Sequence, residues 1–513
     1  MKIINKLIVS CLFIVLLSGC SPKFLNEKRV HNTLKVALPK IATLDPIYSD
    51  ETNEILISSF LYRTLTELEE GYAKSGLASY ELGDNAKSVT FTINEEALFN
   101  NGDPVTSADV KASLTRVVDP KLQSPGAMLL SDIKGYAEAK AGKNFSGIKI
   151  INEKVFKVSF VRSRSDFPLI VANPFFGIIS KKSITKDRKL LAPTVSSGSF
   201  QIDSQDLNKD GTLKDAVKFL GTDEFEVNEV LFTFTKNEEE AVKLFNNKKV
   251  DVTSLAQSSD LPKASSKKGI TPSIKTVFYG FNVRNTLLQN PNLRKAILLA
   301  INKKDILEKS YGNDGSISNS ILPDNTFGFD YICPDKCEFS IEKAKDYLNK
   351  ANVDLNTLVV PIDVDDSQVQ RIISQEIKSN LAAIGIKSEI RETNFDGLLS
   401  KIANYETGLF RFGWIMDGAS PAASLERLFD SQSQENVTGF ADSATNEHIE
   451  VSLASDQKKL IENQIKFAQK AVADAAIILP IANLNIRFGV RNTITNFELD
   501  INGKLDVDKL SYV

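Results

Sequence analysis

Apolar and polar residues alternate from Ser88 to Asn94, with Val89, Phe91 and Ile93 on one face. The same two-residue period returns from Lys154 to Phe160 and from Glu229 to Thr235, where Val230, Phe232 and Phe234 share a face. A period of two predicts half-buried strands. Thr33 to Pro39 alternates more weakly and ends at a proline, as a first strand would. Beyond Thr235 the period changes. Asn237 is placed to cap a helix, Glu240 follows three residues on, and acids crowd the first turn, where the helix dipole favours them.

The second half reads as richer in helix. Asn290-Pro291 supplies a cap and a proline at the first helical position, and Leu293, Ala296, Ile297, Ala300 and Ile301 then form an apolar face. Thr357 to Val364 reads as a strand, Ser367 caps a helix that ends at Gly385, and Lys387 to Arg391 is a strand. A short helix from Phe395 to Ile402 and an apolar strand from Leu409 to Ile415 follow. This strand-helix alternation predicts an α/β lobe with parallel pairing. A long helix from about Asp456 to Asp474 precedes the terminal strands. Pro480 marks the break, and Ile481 to Val490 returns to strand. Two α/β lobes with a concave ligand site between them are the expected architecture.

With 513 residues the chain is long enough for two to four domains, and 42% hydrophobic with 25% charged residues excludes disorder over most of it. No apolar run reaches the roughly 20 residues of a membrane span. A net charge of -3 gives nucleic-acid binding no electrostatic support. The two histidines, His31 and His448, have no credible triad partner and read as solvated surface. No phosphate loop, His-Glu-x-x-His helix or Gly-x-Ser-x-Gly elbow is present. The expectation is a protein that is not an enzyme and needs neither cofactor nor metal.

Lys2 and Lys6 precede an apolar stretch from Leu7 to Leu17 that only Ser10 interrupts, and Leu17-Ser18-Gly19-Cys20 follows. A basic start, an apolar stretch of that length and small residues before the cut predict a signal peptide over residues 1–19. Leu-Ser-Gly-Cys resembles the bacterial lipobox, in which Cys20 becomes the lipidated first residue. Residues 20–32 then read as lipidated Cys and flexible leash, tethered to a membrane surface without spanning it. Of the remaining cysteines, Cys333 and Cys337 read as a disulfide closing a small loop outside the cytosol, with free thiols the alternative.

Leu409 to Asp417 holds the chain's single tryptophan, Trp414, and sets Arg411 and Asp417 in an apolar run. Charges in such a place need partners or a ligand. A peptide offers an amine to Asp417 and a carboxylate to Arg411, with Trp414 as a flat apolar wall. At ~4 Å and an effective dielectric near 20, each pairing has a Coulomb term of about 4 kcal/mol before desolvation. The alternative is that the two charges satisfy each other or nearby backbone while Trp414 is core.

Motifs along nearly all of residues 33–513 carry a resemblance. Leu44-Asp45-Pro46 follows the first strand, and Phe60-Leu61-Tyr62-Arg63-Thr64-Leu65 comes next. Phe99-Asn100-Asn101-Gly102-Asp103-Pro104-Val105-Thr106-Ser107-Ala108-Asp109-Val110 is the strongest single match. Ser197-Gly198-Ser199-Phe200, Asn290 to Ile297, Ile301-Asn302-Lys303 and Ser340 to Leu348 complete the series. In these the chain resembles the peptide-binding members of the family 5 extracellular solute-binding proteins, which serve bacterial ABC importers.

The resemblance implies a two-lobed periplasmic-binding-protein-like fold (type II, cluster C) with an extra inserted subdomain in the first lobe. Lobe I would comprise residues 33–50, 166–275 and 482–513, the insert 51–165, and lobe II 276–481. The implied ligand is a short peptide that pairs through its backbone with Asp50-Glu51-Thr52 and with Gly413-Trp414-Ile415-Met416. Asp417 would bind its amine and Arg411 a carboxylate. Implied partners are ABC importer permease subunits and, through the lipid anchor, a membrane; the protein would act as a monomer on the periplasmic or extracellular face of the envelope. A different solute on the same fold, such as a sugar, an opine or a signalling peptide, is the second reading, and the scarcity of histidine disfavours the nickel and haem branch. Where the family has an aromatic or Asn after the aspartate, this chain has Gly418-Ala419-Ser420, and no aromatic stands at Ser124-Pro125-Gly126.

Overall fold

The structure, a computed structural model, describes residues 33–513 except 50, 70, 192–193, 203, 209–212, 222–223, 256–265, 313–314, 325, 331–337 and 416–419. For residues 204, 266–274 and 414–415 it describes the backbone alone. The expected signal peptide and leash, His31, Cys20, and the Cys333 and Cys337 pair lie outside the described residues.

The chain opens with β1 (Thr33–Pro39) and α1 (Thr52–Leu61), then a hairpin of β2 (Thr66–Glu69) and β3 (Tyr72–Ser75). Next come β4 (Ala78–Leu82), β5 (Ser88–Ile93), α2 (Ser107–Val117), α3 (Tyr136–Lys140), β6 (Ile148–Ile150) and β7 (Val155–Ser159). These four strands form an antiparallel sheet in the order β4-β5-β7-β6. The alternation seen in the sequence buries Val89, Phe91 and Ile93, and Phe91 stacks on Phe156 with ring centroids 5.3 Å apart. The motif around Thr106 has a local cause. The Thr106 N–H donates to the Asp109 carboxylate at 3.0 Å, which starts α2, and the other oxygen of Asp109 accepts from the Lys181 N–H at 2.9 Å.

After α4 (Phe167–Ile170) the chain enters the large sheet with β8 (Phe200–Ile202), β9 (Ala216–Gly221) and β10 (Glu229–Thr235), then α5 (Glu238–Asn246) and β11 (Val252–Ser254). Asn237 caps α5 as expected, accepting from the Glu240 N–H at 3.0 Å. β12 (Ser266–Phe281) leads to α6 (Pro291–Ala300), α7 (Lys303–Tyr311) and β13 (Gly315–Ile317). Then come α8 (Ile341–Ala351), β14 (Val359–Asp365), α9 (Gln368–Ala383), β15 (Lys387–Thr393), α10 (Phe395–Ala403) and β16 (Leu409–Ile415). α11 (Pro421–Phe429), α12 (Ser443–Ala454), α13 (Lys458–Asp474) and β17 (Ile478–Arg491) precede the terminal pair β18 (Ile494–Thr495) and β19 (Ser511–Tyr512).

The main sheet runs β15-β14-β16-β12-β17-β11-β1-β10-β9-β8, with β13 on β17. β14 pairs parallel with β15 and β16, as the strand-helix alternation predicts, and β1 pairs parallel with β10 and β11. One half packs β14, β16, α6 and α9 around Ile362, Ile373, Ile377 and Leu381. Each such side chain contributes about 2 kcal/mol on leaving water. The other half packs β1, β10 and β17 around Val36, Phe232 and Phe488, and α1 lays Leu56, Ile57 and Phe60 on that core. β12 and β17 are long enough to run through both halves.

Two features depart from the sequence pattern. The strand over 266–281 carries Gly269 and Pro272, and its alternation is lost there. Its pairing with β17 is irregular between Pro272 and Thr276, so the proline sits where no regular ladder bond is demanded. Pro480 lies inside β17 instead of marking its start. It faces Phe278 beside a second register shift, between Val277 and Phe278, which accommodates the missing N–H.

Candidate ligand-binding site

β16 is hydrogen-bonded to β12 over its whole length, from Leu409 opposite Phe281 to Ile415 opposite Lys275. On its other side β14 accompanies it only at Leu409 and Phe410. Among the described residues no strand pairs with 411–415 on that side. The strand therefore enters the connection to α11 with one edge open, and an open edge is a template for an added extended chain.

Gly413 lies on this stretch and is exposed. A Cβ built there would meet nothing nearer than the Thr276 carbonyl oxygen at 3.7 Å, an ordinary contact. The protein's own packing does not demand glycine at this position. The small residue keeps the open edge accessible to something else. Beside it Thr276 donates to Asn483 Oδ1 at 3.0 Å, tying β12 to β17 next to their irregular stretch.

Arg411 points to the face shared by Tyr279, Tyr311 and Asp365. Its Nε lies 3.3 Å from Asp365 and its guanidinium carbon 5.4 Å from the Phe395 ring centroid. Asp365 also accepts from the Ser367 N–H at 3.0 Å. Burial pushes the Tyr311 hydroxyl up to about 12, and the buried Tyr279 hydroxyl donates to Gln370 at 2.9 Å. The Arg411 guanidinium is thus held beside a buried carboxylate while its side chain stays partly exposed.

The expected opposite wall is the start of α1. Glu51 is exposed at the N-cap position without a side-chain capping bond, and Thr52 is the first helical residue. Leu44-Asp45-Pro46 holds that wall: Asp45 accepts from the Ile47 N–H at 3.3 Å and pairs with both terminal nitrogens of buried Arg116 at 2.7 and 2.5 Å. Asp50, Met416 and Asp417 lie outside the described residues, and Trp414 and Ile415 are described by backbone only, opposite Thr276 and Lys275. The structure therefore places Arg411 and Gly413 on one strand and Glu51 and Thr52 on one helix start. His448 is half-buried instead of solvated. It packs against Phe467 and its Nδ1 lies 2.6 Å from Gln464 Oε1. No cluster of three metal-ligating side chains occurs among the described residues, and no described helix is long and apolar enough to cross a membrane.

Residues 71–436 match the family model of the bacterial extracellular solute-binding proteins, family 5. The chain belongs to this family. Among curated relatives of this family 5 protein, the oligopeptide-binding protein OppA of Bacillus subtilis is 23% identical over 441 residues, 80% of each chain. Among solved structures, the unliganded open form of the murein tripeptide binding protein MppA superposes with a TM-score of 0.80 at 20% identity, covering 94% of this chain and 97% of that one. AgaA of A. tumefaciens R10, in complex with agropinic acid, superposes with a TM-score of 0.69 at 22% identity, covering 94% and 99%. The fold of this family 5 protein is accordingly the two-lobed binding-protein fold with an inserted subdomain.

Proposed function

We propose that this chain is a lipid-anchored extracytoplasmic binding protein that captures short peptides between its lobes and delivers them, as a monomer, to an ABC importer permease. The observation that carries the reading is the open edge of β16 at 411–415, with exposed Gly413 on it. An extended peptide backbone can add to such an edge, with its amine on Asp417, a carboxylate on Arg411, and Asp50, Glu51 and Thr52 on the facing wall. Trp414 and Ile415 would flank it. Relatives named as oligopeptide-binding and dipeptide-binding proteins support a peptide ligand. The division into lobe I, insert and lobe II is kept as expected from the sequence, with closure around ligand shifting a two-state equilibrium that the permease reads. Cys20 would carry the anchor. No covalent chemistry is involved.

A second reading, a non-peptide solute in the same cleft, is favoured by the likeness to a structure holding agropinic acid. Native mass spectrometry of the full chain, followed by denaturing release, separates the two. A ladder of short peptides recovered unchanged supports the peptide reading. A single non-peptide mass supports the second. If the chain is empty, titration with dipeptides and tripeptides decides, and no binding to any of them rejects the first reading.

A further inference from the structure

A cavity of about 140 Å³ lies where β3 and β4 meet the starts of α11 and α13. Tyr72 and Tyr80 line it from one side, and Phe327, Pro421, Ile461 and Ile465 from the other. The Tyr72 ring lies 4.8 Å from that of Phe327, and the Lys458 ammonium stands 3.6 Å from the Tyr72 centroid. Asp456 and Lys458 are exposed and mark the rim.

The polar side chains on the inner wall already have protein partners. Asp166 accepts from Arg164 Nε at 2.9 Å, from an Arg164 terminal nitrogen at 2.8 Å and from the Ser420 hydroxyl at 2.6 Å. Ser420 in turn caps α11 by accepting from the Ala423 N–H at 3.1 Å. The Ser165 hydroxyl donates to the Ser452 carbonyl at 3.1 Å, the Ser452 hydroxyl to the Ile449 carbonyl at 2.6 Å, and the Tyr80 hydroxyl to the Ala73 carbonyl at 3.1 Å. An occupant is therefore held by contact and not by hydrogen bonds.

Close-packed interiors leave few voids larger than a water molecule. This one persists because bonds beside it fix its two walls. The other terminal nitrogen of Arg164 reaches Asp132 at 2.6 Å and Glu426 of α11 at 3.2 Å. Arg162 holds Asp132 at 2.7 and 2.9 Å and also contacts Glu426. The side chains of Arg164, Asp166 and Glu426 are 7%, 5% and 8% exposed, so the network is buried. The Ser165 N–H adds a bond to the Leu453 carbonyl at 2.8 Å, at the end of α12.

We propose that this cavity is a binding site for one apolar ring, carried by a small aromatic compound or by an aromatic side chain. An apolar cavity of about 150 Å³ takes a benzene ring. Aromatic walls add edge and offset-stacked contacts to the gain from burial. Arg411 and Gly413 do not line the cavity, so the inference stands apart from the peptide reading of the open strand edge.

The test is fluorine NMR titration of the full chain with fluorobenzene, for the wild type, Ala422→Phe and Ala73→Phe. Both alanines line the cavity, from opposite walls, and a phenylalanine at either fills it. The wild type is expected to show one saturable site, weakened at least ten-fold in each variant. Should Ala422→Phe fail to fold, because Ala422 is buried, Ala73→Phe on the hairpin carries the test. No saturable site in the wild type, or binding that survives the substitution, overturns the inference. Competition then identifies the source of the ring. Displacement of fluorobenzene by alanyl-phenylalanyl-alanine and not by tri-alanine assigns it to a peptide side chain, and displacement by neither assigns it to a free compound. Displacement by both alike would put the cavity in the path of the peptide backbone and overturn the ring site.

Discussion

The Nε of Arg411 lies 3.3 Å from a carboxylate oxygen of Asp365, so a cation proposed for the ligand already has a partner inside the protein. Arg411→Ala strands Asp365, which is almost fully buried. Orphaning a buried charge is costly, and the partial exposure of Arg411 reduces that cost to about 2 kcal/mol. Urea denaturation should show this loss, and Asp365→Asn in the same chain should recover most of it. An Arg411→Ala chain as stable as the wild type would mean that the pair contributes nothing.

Gly413 separates folding from binding. A methyl group there meets the Thr276 carbonyl at an ordinary 3.7 Å, so Gly413→Ala should leave stability within about 1 kcal/mol of the wild type, on either side. The same methyl stands on the edge where a ligand backbone would pair. Affinity for the released ligand should drop at least about ten-fold, equivalent to about 1.4 kcal/mol. Unchanged affinity would move the ligand off the strand edge.

Asp417→Ala should weaken peptide binding by about 2–5 kcal/mol, the cost of leaving a desolvated amine without its counter-charge. Titration of a folded variant against a defined tripeptide measures it. An unchanged dissociation constant would remove Asp417 from the amine site.

Lys303 gives a pH signature. It is buried, its ammonium donates to the Ser318 carbonyl at 3.0 Å and Asn319 at 3.1 Å, and burial lowers its pKa from 10.5 to about 7. Between those values the unfolded chain holds a proton that the folded chain has released, so stability rises with pH across that window. The rise from pH ~7 to pH ~9.5 amounts to about 3 kcal/mol. Lys303→Met should flatten the slope in denaturant unfolding followed over this range, and a slope that survives the substitution must come from other groups.

Glu426 acts in the opposite sense. Burial raises its carboxyl from 4.5 to about 7, against the pull of Arg164 and Arg162 and with the repulsion of Asp166 and Asp132. The folded chain keeps a proton that the unfolded chain has shed, so stability falls as pH rises through this window, by about 3 kcal/mol in all. Asp500, raised by burial from 3.8 to about 6, slopes the same way. The difference between wild type and Glu426→Gln, followed by thermal melts from pH ~4.5 to pH ~7, isolates the Glu426 share. Parallel curves would show that its proton is not retained.

Elements with local causes were legible. Asn237, Asn290 and Ser367 announce helix starts, and each accepts the backbone bond its position predicts. β12 was not legible, because Gly269 and Pro272 interrupt its pattern and its stability comes from β16 and β17, distant in sequence. Of the candidate site, the sequence singles out Arg411 and Asp417 as charges in an apolar run; the structure places Arg411 on the open strand beside Asp365, while Asp417 lies outside the described residues. The Asp132, Arg162, Arg164, Asp166 and Glu426 network was missed because its members come from three separated segments. Its signal was of the same kind. Two arginines and an aspartate follow the strand ending at Ser159 and precede Phe167-Pro168-Leu169-Ile170, a place where charges need buried partners.

β17 is the central strand of the sheet and among the last segments of the chain. It pairs with β12, β13 and β11, from Ser266 opposite Arg491 to Gly280 opposite Ile478. Those pairings close loops of roughly two hundred residues, the kind of long-range contact that slows folding. Until residue 478 and its successors arrive, the sheet is two fragments with facing raw edges, and no amount of early helix formation can join them. Synthesis order thus delays completion of the fold to the final stretch of chain, and a truncation before Ile478 would split the protein down its middle instead of trimming its end.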